Sequence, residues 1–222
     1  MNELTITDRI EATLREEIAT GVLSPSEKLR VEHLKQRYDA GTSPIREALS
    51  RLISDGLVEL ESNKGFRVAG LSREDLYDIA VTRAGVEQAA VTRAIALGGD
   101  DWETAIVGQL HRYRLASRRV ELSADQESIR KWELVHNDLH RAIVSACDAP
   151  RLLAVQERLL VQHGRYRRGI PGQLDIGVFV REHEVLVEIV LSRDTQAAVK
   201  SIEQHMMITF DVLEKERFWD VP

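Results

Sequence analysis

Residues 42–58 read Thr-Ser-Pro-Ile-Arg-Glu-Ala-Leu-Ser-Arg-Leu-Ile-Ser-Asp-Gly-Leu-Val, and no other stretch narrows the possible folds so far. Ser43 is a favourable N-cap, and Pro44 suits the first helical position, where its missing N–H costs nothing and its fixed φ is already helical. Apolar Ile45, Ala48, Leu49, Leu52 and Ile53 recur at helical spacing, while Arg46, Ser50 and Arg51 fall on other faces. The segment is therefore predicted to be a helix with one buried stripe and one outward face, stopped by Asp55-Gly56.

The preceding chain supplies two more helices. Ile6, Ile10, Leu14 and Ile18 recur every fourth residue between Thr5 and Ala19, and Gly21 follows as a terminator. Val22 to Lys28, with Pro25 between serines, reads as a turn, and Val31 to Tyr38 as a short second helix closed by Asp39-Ala40-Gly41. Two short helices joined by a tight glycine-containing turn form a helix-turn-helix, with Ser43–Ser54 as its second, recognition helix. After Gly56 the period changes: Leu57–Leu60 and Phe66–Val68 are β-prone runs around a polar loop that carries Lys64 at its tip. The expectation is a winged helix-turn-helix over residues 1–70.

From Leu71 onward strand signals vanish. Ser72 to Asp75 resembles a capping box opening a long helix with Leu76, Ile79, Ala80, Val86, Ala90 and Ala94 inward, closed by Gly98-Gly99. Helices are predicted at Asp101–Arg119, Ser128–Cys147, Arg151–His163, Ile176–Leu191 and Thr195–Glu216, with a loop at Gly169–Gly172. The fold class is thus mainly α: a winged helix-turn-helix followed, over residues 71–222, by an all-α antiparallel bundle.

Charge alone does not announce a partner. The 222-residue chain carries a net charge of −6, yet between Lys28 and Arg51 six basic residues face three acidic ones. Counterion release depends on such a local patch rather than on the total. The single cysteine, Cys147, lies in an apolar helical stretch and reads as a small buried hydrophobe. With no long apolar run and no N-terminal leader pattern, the chain is expected to be a cytoplasmic protein without membrane contact.

The motif from Ser43 to Val58, followed by Gly65-Phe66-Arg67-Val68, resembles the winged helix of the GntR family of bacterial transcription regulators. The all-helical remainder resembles the effector-binding and dimerisation domain of its FadR subfamily, called FCD. The resemblance implies a homodimeric regulator, most naturally a repressor, that reads a palindromic double-stranded operator. It places Arg46 at guanine, where a guanidinium fork can engage O6 and N7 together. Ser43, Pro44 and the helix N-terminus would approach a phosphate, with Arg30, Arg51 and Lys64 as further backbone contacts. Thr42 departs from the family, many members of which carry an arginine there. Arg51 has a second reading as an ion pair with Glu47, and Lys64 as a solvated turn residue.

His136 and His140 lie four apart on one helix face, and His183 and His205 lie on or beside inward stripes of two later helices. Four converging imidazoles suit Zn²⁺ or Ni²⁺ better than oxygen-seeking Mg²⁺ or Ca²⁺; taken one by one, they could equally be hydrogen-bonded core residues. FCD domains commonly hold a divalent metal through one aspartate and three histidines, and the resemblance puts His140, His183 and His205 at the histidine positions. His136 stands where the aspartate would, which keeps a ligand but removes a negative charge. Arg83 resembles the family's arginine near the ligand pocket and could clamp a carboxylate of a small organic (di)carboxylic acid; it could also simply pair with Glu87. Arg165 and Arg167 are expected in solvent or at a subunit contact, and His33, His111 and His163 have no evident partner. Two other functions compete: a regulator whose metal is itself the signal or is purely structural, and a zinc-dependent hydrolase, against which stands the lack of a His-Glu-x-x-His motif.

Overall fold

The computed structural model describes residues 4–62, 64–168, 176–216 and 218–220, so the loop expected at Gly169–Gly172 and the wing residue Asn63 lie outside the described residues. The chain divides into two compact units, Met1–Ser72 and Arg73–Pro222.

In the first unit, α1 (Ile6–Ala19) is opened by a capping box: Thr5 Oγ1 accepts from the Asp8 backbone N–H at 3.2 Å and the Thr5 N–H donates to the Asp8 carboxylate at 2.9 Å. The Thr5 hydroxyl, which also donates to this carboxylate at 2.7 Å, holds the Asp8 carboxyl down at about 2, helped by Arg51 and the Thr5 N–H. The expected terminator, Gly21, has φ +75°, a conformation that favours glycine. Buried Ile10, Leu14 and Ile18 pack α1 on α3 (Thr42–Ser54), which buries Ile45, Ala48, Leu49 and Leu52, while α2 (Val31–Tyr38) inserts Leu34. Tyr38 ties α2 to α1 by donating to Glu17 at 2.7 Å.

Two expectations for this unit need correction. Gly41, not Ser43, is the N-cap of α3, and no side chain caps it. Proline remains acceptable at the third helical position because the first four N–H groups of a helix lack intrahelical partners anyway; Ser43 is left exposed with its hydroxyl free of capping. The stretch read as a turn through Lys28 ends in a strand, β1 (Lys28–Leu29), which joins β2 (Val58–Glu61) and β3 (Gly65–Val68) in the antiparallel order β1-β3-β2. Lys28 pairs with Arg67 and Leu29 with Phe66. Two residues are too few for any alternation to show.

The second unit contains helices and no strand among its described residues: α4 (Arg73–Leu97), α5 (Asp100–Leu122), α6 (Gln126–Val144), α7 (Pro150–Arg168), α8 (Ile176–Leu191) and α9 (Thr195–Lys215), with 3₁₀ turns at Ser145–Cys147 and Phe218–Asp220. The long α4 packs along α7 and α9, and α5 along α6 and α8. Leu76, Ile79, Ala80, Ala90 and Ala94 are buried as the spacing predicts, whereas Val86 is half-buried. Cys147 is fully buried, as expected of a small hydrophobe. No helix among the described residues is long and apolar enough to cross a membrane.

Candidate metal centre and nucleic-acid interface

Inside the second unit, α6 brings His136 and His140 to one face, α8 brings His183 and α9 brings His205. All four are buried, and one nitrogen from each lies within 4.8 Å of the others. Aromatic packing fixes the rings: Tyr113 lies 4.7 Å from His183 between centroids, and Trp132, whose indole N–H donates to Ser117 at 3.0 Å, lies 5.7 Å from His136.

Hydrogen bonds identify the bare nitrogen in two of the four rings. His183 Nδ1 lies 2.6 Å from the Phe179 carbonyl, which can only accept, so Nδ1 carries the proton and Nε2 a lone pair. His140 Nδ1 lies 3.2 Å from a Glu87 carboxylate oxygen, and the same reasoning bares its Nε2. These two bare nitrogens face each other at 3.4 Å. Neither can donate to the other. An ion bound tetrahedrally at the usual Zn–N length has a ligand–ligand edge of about 3.3 Å, so the spacing fits a shared cation. His136 Nδ1 has two mutually exclusive partners, donating to Asn137 at 3.2 Å or accepting from Arg167 at 3.2 Å; only the first frees Nε2.

Burial is the main force that holds all four imidazoles neutral. It pushes His183 down to about 3 against the supporting Phe179 carbonyl. It also carries His136 and His140 well below the ordinary imidazole value, aided by Arg167 and Arg83 respectively, and His205 likewise, aided by His183 and His140. Neutral imidazole is the ligating form, so the donor set suits a borderline divalent metal.

A cavity opens among these histidines, walled also by Arg83, His163, Arg167, Phe179 and Met206. Its room for water, about 10 Å³, matches one water-sized occupant. Arg83 pairs with Glu87, Nε donating at 2.7 Å with each side chain 1 % exposed, and the residue also lines the cavity. Arg165 and Arg167 are not solvated but buried. Arg167 forms a two-pronged pair with Glu133 at 2.9 and 3.1 Å. Gly164 makes room for that pair, since a Cβ there would meet the Glu133 carboxylate at 3.1 Å and the Arg167 guanidinium at 3.4 Å. His163, which had no evident partner in the sequence, lies between Arg83 and Arg167 at 2.6 and 3.2 Å. Asp138, on another face of α6, pairs with Arg141 at 2.8 Å, away from the histidines.

In the first unit, Arg46 is exposed on α3 with its guanidinium 5.6 Å from the Phe66 ring of β3. It shares an open groove of about 430 Å³ with Lys28, Arg30 and Lys64. Thr42 and Ser43 are exposed at the start of α3 and Pro44 half-buried. Arg51 is otherwise engaged: its guanidinium binds Asp8, Glu11 and Glu47 at 2.8, 3.2 and 2.6 Å, tying α3 to α1. Lys28, part of the basic patch in the sequence but without an assigned contact, is carried to the groove by the pairing of β1 with β3.

The chain matches the family model "Bacterial regulatory proteins, gntR family" over residues 6–68 and the FCD domain model over residues 78–207. It is 36 % identical to the transcriptional repressor GlaR of Escherichia coli, covering 91 % of this chain and 93 % of that one. It is 31 % identical to the uncharacterized regulator BphR of Paraburkholderia xenovorans, covering 93 % and 85 %. Among solved structures, E. coli McbR/YncC superposes with a TM-score of 0.79 at 20 % identity, covering 97 % of this chain and all, 100 %, of the other, which supports the winged-helix and helical-bundle architecture.

Proposed function

Because the chain belongs to the GntR family of bacterial regulatory proteins and carries an FCD domain, we propose that it is a homodimeric repressor whose operator affinity is set by a divalent metal, Zn²⁺ or Ni²⁺, and a small organic acid at the four-histidine centre. It is a DNA-binding transcription regulator, and its family and relatives are regulators, not enzymes. The similarity to GlaR, itself named a repressor, supports repression.

The observation that carries the metal reading is the pair of bare Nε2 atoms of His140 and His183 at 3.4 Å. His140 and His183, with His205 and His136, would hold the ion, which would supply positive charge that attracts a carboxylate. Glu87 and the Phe179 carbonyl orient two of the ligands. On the DNA side, Arg46 would read a guanine while Lys28, Arg30, Lys64 and the Thr42–Pro44 turn meet the backbone. In this proposal Arg51 stabilises the helix pair rather than touching DNA.

The small cavity favours one further reading, in which the metal alone is the signal. One experiment separates the two. Binding to labelled DNA from upstream of the protein's own gene is measured with chelated, zinc-loaded, and zinc-plus-dicarboxylate protein. We expect the acid to change operator affinity by about 5- to 150-fold, the usual range of allosteric coupling, and only in the zinc-loaded state. An equal acid effect on chelated protein would exclude the metal as the acid's anchor; a change with zinc that no acid alters would select the metal-signal reading.

A further inference from the structure

A neutral imidazole has two ring nitrogens, and only the one without a proton can bind a cation. Hydrogen bonds leave Nε2 bare in His140 and His183, and His205 Nδ1 is buried with no partner to direct its proton. His136 is contested. Its Nδ1 lies 3.2 Å from Arg167 Nη2 and 3.2 Å from Asn137 Oδ1. A second cation cannot approach a nitrogen that a guanidinium already faces, so ligation by His136 must use Nε2. That requires the ring proton to sit on Nδ1.

Counting donors and acceptors shows what can keep it there. The amide atom beside His136 also lies 3.4 Å from Arg167 Nη2, and a guanidinium only donates, so this atom is the amide oxygen. Arg167 Nη2 carries two hydrogens and faces three acceptors: Glu133 at 3.1 Å, His136 and Asn137. The Glu133 carboxylate, being charged, holds one of them. If the second goes to Asn137, its oxygen keeps a lone pair for His136 Nδ1–H, and every group is satisfied. If it goes to His136, the ring proton moves to Nε2 and the fourth ligand is lost. Asn137 is itself buried, so bulk water cannot stand in for its oxygen.

We propose that Asn137 is the positioning residue of the four-histidine centre: its side-chain oxygen accepts from both Arg167 and His136, fixes the His136 proton on Nδ1 and so makes His136 a ligand through Nε2. The inference rests on the metal reading given above. With Asn137 the centre offers four nitrogens; without it, three.

Two measurements on the full chain test this. One is the apparent zinc dissociation constant, from competition with a chromophoric chelator. The other is the visible ligand-field spectrum of the Co²⁺-loaded protein, which follows the number and geometry of the ligands. Asn137→Leu, which has no acceptor, is expected to weaken zinc binding by about 10- to 100-fold, the usual cost of losing a group that orients a ligand. Its Co²⁺ spectrum should become that of His136→Leu. Added to His136→Leu, the same substitution should change zinc binding little, because the two residues act through one interaction. Asn137→Asp keeps the acceptor, so it should bind zinc at least as tightly as wild type and retain the wild-type spectrum.

Wild-type affinity and spectrum in Asn137→Leu or in His136→Leu, or an equal loss from Asn137→Leu in both backgrounds, would overturn the inference and leave the metal site standing. Should Asn137→Leu fail to fold, Asn137→Asp decides alone, and a spectrum matching His136→Leu would count against the proposal. A wild-type chain that takes up no zinc would instead remove the metal reading and this inference with it.

Discussion

Glu133→Ala is expected to lower the stability of the helical unit by about 3–5 kcal/mol, the cost of removing one partner from a buried ion pair. Glu133 and Arg167 are 1 % and 2 % exposed, so the guanidinium cannot swing out to water without breaking the packing of α7. Its remaining partners, His163, His136 and Asn137, are all neutral. All three tryptophans of the chain lie in this unit, at positions 102, 132 and 219, so denaturant unfolding followed by indole fluorescence reports on it specifically. Glu133→Gln keeps an acceptor oxygen and should cost less than alanine. A loss below about 1 kcal/mol for Glu133→Ala, the size of an exposed pair, would show that Arg167 is hydrated after all.

Arg46→Ala is expected to weaken specific operator binding by about 1–3 kcal/mol, roughly 5- to 150-fold, with a much smaller effect on unrelated DNA. The side chain is exposed on the outward face of α3 and held over Phe66, so little reordering is needed before it enters a groove. Lys64→Ala provides the contrast. A phosphate contact carries no sequence information, so its loss should weaken all sequences alike and lower the salt slope by about 0.9. Undiminished discrimination by Arg46→Ala would remove it from base readout.

The sequence was most informative where one local period rules. The spans of α2 and α8 were readable to the residue because an apolar stripe, a glycine turn or a run of β-branched residues marked them. At the recognition helix the residues were right and the cap was not, because a proline fits anywhere in the first turn and cannot by itself say which position it holds. β1 escaped because its structure comes from pairing with β3, far along the chain (Lys28 with Arg67, Leu29 with Phe66), rather than from its own two residues.

The site divides in the same way. The four histidines stood out through i,i+4 spacing and the stripes around them, and the structure gathers all four. The charged network behind them did not stand out. His163 and Arg167 lie one turn apart on α7, a pattern also common on solvated helices, and only packing against α4 and α6 reveals their burial. A helical glycine between them, Gly164, was the available clue, since a mid-helix glycine with no turn to make signals that something approaches the backbone closely.

The account stands or falls on whether the histidine cluster holds a metal. The most direct measurement is the metal content of purified chain after zinc loading and gel filtration, in wild type and in His140→Ala/His183→Ala, the pair whose bare nitrogens face at 3.4 Å. One zinc per wild-type chain, falling to about a tenth or less in a folded double variant, is the expected result, because removing two of four ligands leaves too few to fix the ion. Wild-type chains that emerge without zinc, or a double variant that keeps its full complement, would contradict it.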